Sequence, residues 1–390
     1  MYLAQTPDPK QAHLSDADAA TIRATIGPVA ENIETITRTF YSKMFAAHPE
    51  LIADLFNRGN QKQGAQQKAL AASVAAFASQ LVDGTASDPA MMLDRIANKH
   101  VSLGVTEDQY QIVHDNLMAA IAEVLGDAVT PEVAKAWDAV YWLMADVLIK
   151  HEQALYDSDG IDAGDVFRKG TVTEKRPLTP AVTAYTLEGD FSEPKPGQYT
   201  SVGVQLDDGA RQLRQYSIVD GNATHYRIAV QTDGEVSTFL RDRVDVGDTV
   251  DVTLAAGDLV LREGTNPVVL ISSGIGSTPM VGILGYLVKH GDGRKVTYIH
   301  SDDSDDTWAQ AEDSRRLVKA LADASIRVAM RDRGERVNVA DFDLAGADVY
   351  LCGGTGFLQA IRDDIEALPA DHAPANVYYE LFSPNDWLIS

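Results

Sequence analysis

Glycine-rich turns that could seat a phosphate group stand in the last third of the sequence. The segment GIGSTPM at residues 274–280 follows the apolar run at 268–271 after two serines. Glycines let a backbone approach a phosphate closely, and a helix starting there would add free N–H groups and the positive end of its dipole. A second glycine turn, CGGTG at 352–356, ends a later apolar run. Either turn alone could be purely structural, but two at strand ends of one sheet favour a dinucleotide crevice.

The tetrapeptide RQYS at residues 214–217 has the residue types that a flavin dinucleotide needs. Arg214 could pair with the pyrophosphate, Tyr216 could cover the ring, and Ser217 could bond to the ring's edge. On a strand, Arg214 and Tyr216 share a face. The tetrapeptide alone equally fits a cross-strand aromatic beside a solvated arginine. The segment GEVST at 234–238 strengthens the flavin interpretation, because it predicts a helix N-terminus that could bind a phosphate.

Three of the nine histidines, His100, His114 and His151, lie on predicted helices. A lone helical histidine is usually an ordinary core or surface residue. His100, however, ends a predicted helix just before a glycine turn, and an aromatic helix face containing Tyr41 lies far upstream. With Gln66 on a third predicted helix, these residues could enclose a haem.

Three segments with different periodicities must position these residues. Residues 15–156 show apolar positions at i, i+3 and i+4, which predicts an all-α domain. After an acidic, glycine-bearing linker at 157–165, residues 166–264 contain six short strands separated by turns, which predicts a small antiparallel barrel. Residues 265–390 alternate apolar strands with helices, which predicts a doubly wound α/β domain. Residues 1–14 form an N-terminal extension.

Composition excludes several classes of protein. The chain has 390 residues, of which 45% are hydrophobic, so a disordered chain is excluded. Its net charge of −24 argues against nucleic acid or anionic lipid as a partner. The single cysteine excludes an intramolecular disulfide framework and fits a reducing cytoplasm. No apolar run is long enough to span a bilayer, so we expect no stable membrane association. We expect a cytoplasmic monomer.

The order R-x-Y-S, G-x-G-x-x-P and C-G-G resembles the ferredoxin–NADP reductase family over residues 165–390. The resemblance implies that the first motif binds FAD and that the glycine turns bind a nicotinamide nucleotide. The implied nicotinamide-nucleotide residues are Gly274, Ile275, Gly276, Ser277, Thr278, Pro279, Cys352 and Gly353.

The helical segment is similar to the globin half of bacterial and yeast flavohaemoglobins. The motifs are FYSKMF at 40–45, PELIADLFN at 49–57, Gln66 with Leu70, NKH at 98–100 and EDQY at 107–110. The resemblance implies that His100 is the proximal ligand of the haem iron and that Tyr41 donates a hydrogen bond to bound dioxygen. It places Gln66, Leu70, Phe56 and Lys99 in or near the haem pocket, and Tyr110 and Glu152 beside the proximal histidine.

The segment YELFSP at 379–384 resembles the C-terminal segment of flavohaemoglobins. There, Phe382 would cover the flavin ring. With the barrel motifs, the implied FAD residues are Tyr199, Arg214, Gln215, Tyr216, Ser217, Glu235, Val236, Ser237, Glu380 and Phe382. Ser383 and Gly354 depart from the usual glycine and proline, which leaves details of the nicotinamide site open.

The resemblance implies a nitric oxide dioxygenase that converts NO and O2 to nitrate, with electrons passed from NADH through FAD to haem b. The aspartates at 302, 303, 305 and 306 predict NADH over NADPH, since four carboxylates would repel a 2′-phosphate. An acidic surface loop without any such role is the alternative. Other functions left open are an NADH-dependent alkyl-hydroperoxide or ferric reductase and a redox- or oxygen-sensing haem protein.

Overall fold

The computed structural model describes residues 13–54, 65–83 and 90–382. Within the helices, the side chains of residues 52–54, 65–69, 71–72, 83 and 90–92 are outside this description. Two compact units make up the chain. No helix in the described ranges is long and apolar enough to cross a membrane.

The first unit is helical, as the 3.6-residue periodicity predicts. Its described part contains α1 Asp16–Ala47, α2 Pro49–Asp54, α3 Ala65–Asp83, α4 Ala90–Val101, α5 Glu107–Leu125 and α6 Pro131–Asp159. Side chains cap two of the helix starts. The Ser15 hydroxyl accepts from the Asp18 backbone N–H at 3.1 Å, and the Thr130 hydroxyl accepts from the Val133 N–H at 3.3 Å.

The core of the helical unit forms where the apolar stripes of these helices meet. Phe40 and Met44 on α1, Leu93 on α4, and Trp137 and Leu148 on α6 are almost fully buried. Helix α6 runs to Asp159, three residues into the segment predicted to be a linker, and ends where Gly160 adopts the left-handed conformation with φ of +69°. The long helix α6 therefore spans the whole core and carries side chains to several neighbours.

The second unit begins with a closed antiparallel barrel, which confirms the predicted strands. Its members are β1 Phe167–Thr179, β2 Val182–Glu188, β3 Tyr199–Gln205, β4 Arg211–Asn222, β5 His225–Gln231 and β6 Thr249–Thr253, in the order β1-β2-β5-β4-β3-β6. Helix α7 Glu235–Arg243 connects β5 to β6.

A five-stranded parallel sheet follows in the same unit, and the α/β prediction is confirmed. Its elements are β7 Val268–Ser273, α8 Ser277–His290, β8 Val296–Asp302, α9 Ala311–Ala320, β9 Ala324–Met330, β10 Asp348–Gly353, α10 Thr355–Glu366 and β11 Asn376–Leu381. The strand order is β11-β10-β7-β8-β9. The central strands β7 and β10 are buried nearly throughout, as expected for apolar runs covered on both faces.

Candidate active site

His100, at the end of α4, forms a hydrogen-bonded triad with the buried side chains of Tyr110 and Glu152. The imidazole Nδ1 lies 2.7 Å from Glu152 Oε1 and 3.1 Å from the Tyr110 hydroxyl, and that hydroxyl donates to the same carboxylate oxygen at 2.5 Å. Glu152 and Tyr110 are almost inaccessible, at 3% and 7% exposure. A carboxylate only accepts hydrogen bonds, so Nδ1 is the protonated nitrogen of His100 and Nε2 keeps its lone pair. In the described part of the chain, Nε2 has no hydrogen-bond partner.

The surroundings of the triad keep Tyr110 a neutral donor. Burial, followed by the nearby Glu152 charge, raises the pKa of Tyr110 far above its ordinary value. The phenol therefore remains protonated at any physiological pH, and it can fix Glu152 by donating to it. The carboxylate in turn orients the imidazole, as acceptors behind metal-ligating histidines commonly do.

Helix α6 holds the segment between His100 and Tyr110 at two further points. The Tyr141 hydroxyl donates to the Tyr110 carbonyl at 2.6 Å, and the buried Tyr156 hydroxyl donates to the Val105 carbonyl at 2.8 Å. With Glu152 between them, one face of α6 fixes the helix end, the turn and the following helix start that present the triad.

Tyr41, the predicted distal residue, lies on the buried face of α1. It is 6% exposed and packs between Phe40 and Phe45, with ring centroids 4.6 and 5.5 Å away. Leu70 on α3 is partly buried and contacts the same core. Phe56 lies outside the described residues, as does the side chain of Gln66. Lys99 is exposed.

The predicted flavin residues on the barrel come together where β4 meets the start of α7. Arg214 Nη2 donates to Glu235 Oε1 at 3.3 Å, and the Gln215 side chain donates to Ser201 Oγ at 2.9 Å. The Tyr216 hydroxyl is buried and has no partner in the described part of the chain, so it can still bond to a ligand. Its pKa is raised by burial, which keeps the phenol protonated.

The first turn of α7 is shaped by its own side chains. The Ser237 hydroxyl accepts from the backbone N–H groups of Asp233 and Gly234, at 2.9 and 3.0 Å. Val236 is fully buried, and Ser217 and Tyr199 are nearly so. The turn and the strand therefore form one fixed edge, a suitable cradle for a phosphate-bearing group.

The two glycine turns of the sheet interlock. A Cβ on Gly276 would lie 2.4 Å from the Cys352 carbonyl oxygen, and a Cβ on Gly353 would lie 2.4 Å from Ser273 Oγ. Gly274 adopts a left-handed φ of +52°. The turns after β7 and β10 thus require glycine to form one continuous edge, as the sequence predicts for a dinucleotide crevice.

Side chains near these turns stabilise their shape. The Ser277 and Thr278 hydroxyls donate to the carbonyls of Gly274 and Ile275, at 3.0 and 2.9 Å. Cys352 is fully buried, and burial raises the pKa of its thiol. Its side chain is therefore inaccessible, and only the backbone at this position can face a ligand.

The barrel and the sheet are in direct contact within this unit. A Cβ on Gly282 of α8 would lie 2.7 Å from the Ile218 carbonyl oxygen on β4, and one on Gly197, just before β3, would lie 3.6 Å from Ile283 Cδ1 on α8. The strand that carries Arg214 to Ser217 consequently passes against the helix that starts at the first glycine turn. The flavin and nucleotide candidates are adjacent.

Comparison with known proteins identifies relatives of both the helical part and the reductase part of the chain. A globin family model matches residues 38–148. Flavohaemoproteins from Deinococcus radiodurans and Rhizobium meliloti are 37% and 35% identical to the chain, over 95% and 93% of its length and 98% and 97% of theirs. The chain belongs to the flavohaemoprotein family. The family suggested by the sequence motifs is thereby confirmed.

Solved structures agree with this membership. A flavohaemoglobin from Malassezia yamatoensis, with bound FAD and haem, is 32% identical and superposes with a TM-score of 0.88 over 95% of this chain and all of that one. The FAD/NAD-binding domain of a nitric oxide dioxygenase from Vibrio cholerae is also 32% identical, with a TM-score of 0.52 over 56% of this chain and 99% of that domain.

The residues of this flavohaemoprotein fit haem, FAD and a nicotinamide nucleotide. His100 offers Nε2 as a donor to haem iron, because Nδ1 is engaged. The buried Tyr216 hydroxyl without a protein partner, beside Arg214, fits a flavin dinucleotide. The interlocked Gly276 and Gly353 leave a backbone edge that fits a nicotinamide nucleotide.

Two residues at the end of the flavohaemoprotein's last strand have contrasting exposure. Glu380 on β11 is 7% exposed and pairs in register with Cys352 on β10, whereas Phe382 just beyond the strand is 49% exposed. An exposed aromatic at that edge is available to cover a ring, as predicted for Phe382.

Sequence reasoning missed the contacts made by Tyr141 and Tyr156 in this flavohaemoprotein. Tyr141 belongs to the stripe that predicts the buried face of α6, and Tyr156 continues that stripe, which by itself indicates core packing. Their hydroxyls bond to backbone carbonyls 31 and 51 residues away, and no local pattern signals such partners. The bond of Gln215 to Ser201 was missed for the same reason.

Proposed function

We propose that this flavohaemoprotein is a nitric oxide dioxygenase that converts NO and O2 to nitrate with electrons passed from NADH through FAD to haem. The observation that carries the proposal is the 2.7 Å contact between His100 Nδ1 and the buried Glu152 carboxylate. A globin that only stores oxygen does not need an anionic acceptor behind its proximal histidine, whereas oxygen activation benefits from a more electron-rich ligand. The Vibrio cholerae relative supports the same activity.

The contacts of the proximal residues support the roles predicted for them. Glu152 accepts a hydrogen bond from Nδ1 of His100, so Nε2 would be the stronger donor to a bound haem iron. Tyr110 shares the same carboxylate oxygen and limits how far Glu152 can take that proton. Because both groups are buried, water cannot replace either hydrogen bond.

Tyr41, with Gln66 and Leu70, is proposed to line the pocket in which dioxygen would react. A phenol held between Phe40 and Phe45 has little freedom, so its donor can be aimed before the reaction begins. Such a donor would stabilise negative charge on dioxygen when haem is bound.

The residues of the reductase part are proposed to bind and orient FAD and the nicotinamide nucleotide. Arg214 and the first turn of α7 would hold the FAD phosphates, Tyr216 and Phe382 would enclose the flavin ring, and the glycine turns would seat the nicotinamide nucleotide. The chemistry supplied by the bound groups is hydride acceptance and single-electron transfer by the flavin and dioxygen chemistry at the haem iron.

We also propose that the protein works as a monomer in the cytoplasm. Its one cysteine, the fully buried Cys352, would stay reduced there.

The proposal is tested by supplying purified, haem- and FAD-loaded protein with NADH under air and measuring NO consumption and nitrate formation. Parallel assays offer an alkyl hydroperoxide or ferric citrate in place of NO. We expect NO consumption to be much the fastest reaction and nitrate to be its product. Faster turnover of the hydroperoxide or of ferric ion would favour the corresponding reductase instead.

A further inference from the structure

The acidic turn after β8 is joined to arginines at the end of β9. Arg331 Nε donates to Asp303 Oδ1 at 2.7 Å, and Arg331 Nη2 forms an ion pair with the same oxygen at 2.6 Å. Arg333 donates to Asp305, and Arg315 lies 3.7 Å from the other oxygen of that carboxylate. We call Asp303, Asp305, Arg315, Arg331 and Arg333 the acid–arginine cluster.

The cluster occupies a defined position in the sheet. Parallel strands β7, β8 and β9 are in register, with Ser273 opposite Ser301 and Asp302 opposite Met330. Their carboxyl ends therefore meet at one edge, beside the first glycine turn. In doubly wound domains, a nucleotide seated on that turn has its ribose hydroxyls read at the end of the neighbouring strand.

Asp302, the first residue of the turn, forms its hydrogen bonds within the protein. Its carboxylate is 4% exposed and accepts from the Thr307 hydroxyl at 2.5 Å and the Asp303 backbone N–H at 2.8 Å, with His300 Nε2 at 3.2 Å. This carboxylate fixes the turn and is not available to a ribose. The sequence prediction treated all four aspartates alike, and the structure separates Asp302 from the other three.

A buried donor next to the cluster lacks an acceptor. Trp308 is 2% exposed, stacks on His300 with ring centroids 4.7 Å apart, and lies under the Arg315 guanidinium at 4.8 Å. Its indole N–H has no partner in the described part of the chain. An indole N–H only donates, so a buried donor without an acceptor in the described part of the chain lies beside the cluster.

We propose that the acid–arginine cluster is a masked site for a phosphomonoester and thereby sets the choice of nucleotide. Asp303 and Asp305 occupy the three guanidinium groups that a 2′-phosphate would need, so the nucleotide without that phosphate is preferred. The inference rests on the proposed function, because it requires that the glycine turns bind a nicotinamide nucleotide.

Charge and geometry explain why the carboxylates act as a mask. A phosphomonoester is a dianion, and arginine is its best side-chain partner. The cluster residues are about half exposed, so each ion pair is weak and the arginines can exchange partners. The aspartates nevertheless remain beside the site and repel the incoming dianion. Removing their charges both releases the arginines and ends the repulsion.

The test is calorimetric titration of the full-length, haem- and FAD-loaded protein with NAD+ and, separately, NADP+. In D303N/D305N, we expect NADP+ affinity to rise about tenfold or more, with NAD+ affinity changing less than about threefold. The gain should shrink as ionic strength rises. In the quadruple variant, which adds R331Q/R333Q, the gain should disappear, because the released cations are gone.

The matched control removes two carboxylates of the same domain away from the cluster. E366Q/D371N changes the net charge by the same amount at two exposed positions and should leave both affinities unchanged. Unchanged NADP+ affinity in D303N/D305N, a gain that persists in the quadruple variant, or an equal gain in the control would overturn the inference while leaving NAD+ binding intact. Absence of NAD+ binding by the unaltered protein would instead contradict the proposed function, and the inference with it.

Discussion

Tyr41, the proposed distal donor, gives the first prediction at the scale of single residues. Tyr41→Phe keeps the ring between Phe40 and Phe45 and removes only the donor. A hydrogen bond to a charged acceptor contributes about 1.5–3 kcal/mol, so dioxygen should leave the reduced protein roughly ten- to a hundredfold faster. Stopped-flow measurement of oxygen release gives this rate directly.

The control for Tyr41 is Tyr185→Phe, which removes a buried hydroxyl from the barrel. It should leave oxygen release unchanged. An unaltered release rate in Tyr41→Phe would show that this phenol does not contact dioxygen.

Glu152 gives the second prediction at this scale. Glu152→Gln preserves the shape but replaces a charged acceptor of the His100 proton by a neutral one. The histidine then becomes a weaker donor, so the iron–histidine stretching frequency should fall and the haem midpoint potential should rise. Resonance Raman spectroscopy and potentiometry measure both. Glu123→Gln, which breaks an exposed pair with Lys43, is the control; if Glu152→Gln leaves both quantities at their original values, Glu152 does not tune the ligand.

Contacts between residues that are distant in the sequence could not be predicted from local patterns. His100, Tyr110 and Glu152 lie on three helices, 10 and 52 positions apart, and only the family resemblance suggests that they meet. Likewise, the sequence presents Asp302 and Asp303 as equal neighbours. One is buried against Thr307 and the other pairs with Arg331 in solvent, because burial and long-range partners are set by the fold rather than by local spacing.

At the scale of elements, periodicity was sufficient for most of the fold. Alternating and continuous apolar runs predict every strand of the barrel and the sheet, with ends shifted by a few residues, because each run buries a face. The end of α6 was predicted less accurately. The acidic residues before Gly160 resemble a linker in sequence, but they continue the helix to Asp159. Polar residues on an exposed helix end carry no apolar signal.

Glycines of α8 and its preceding turn provide the prediction at this scale. In Gly276→Ala, the new Cβ meets the Cys352 carbonyl oxygen at 2.4 Å, so the two turns must separate. Overpacking typically costs about 1–3 kcal/mol, and we expect lower thermal stability and about tenfold or greater loss of NADH affinity. Calorimetry measures both, while the haem and flavin spectra should persist.

The matched control is Gly285→Ala on the same helix. A Cβ there would meet no described atom within 4 Å beyond its chain neighbours and the helix's own backbone, and alanine in a helix interior is favoured over glycine by about 0.5–1 kcal/mol. This variant should be as stable as the parent or more so, with unchanged NADH affinity. Equal behaviour of the two variants would contradict the assigned role of the interlocked turns.

At the scale of the whole molecule, the two compact units should lose their cofactors separately. His100→Ala removes the proposed iron donor and should abolish the normal haem spectrum, while FAD binding and NADH-driven reduction of ferricyanide continue. His114→Ala is the control, because His114 bonds to Asp115 and Asp138 and not to the triad. If His114→Ala eliminates the haem signal and His100→Ala does not, the ligand assignment is wrong.

The most direct test of the account is the ratio of nitrate formed to NADH consumed when the loaded protein removes NO under air. One hydride carries two electrons, and conversion of one NO and one O2 to nitrate needs one electron. The account therefore predicts two nitrates for each NADH, with NO and O2 consumed in equal amounts. Nitrous oxide or nitrite as the main product, or NADH oxidation that proceeds without nitrate, would contradict it.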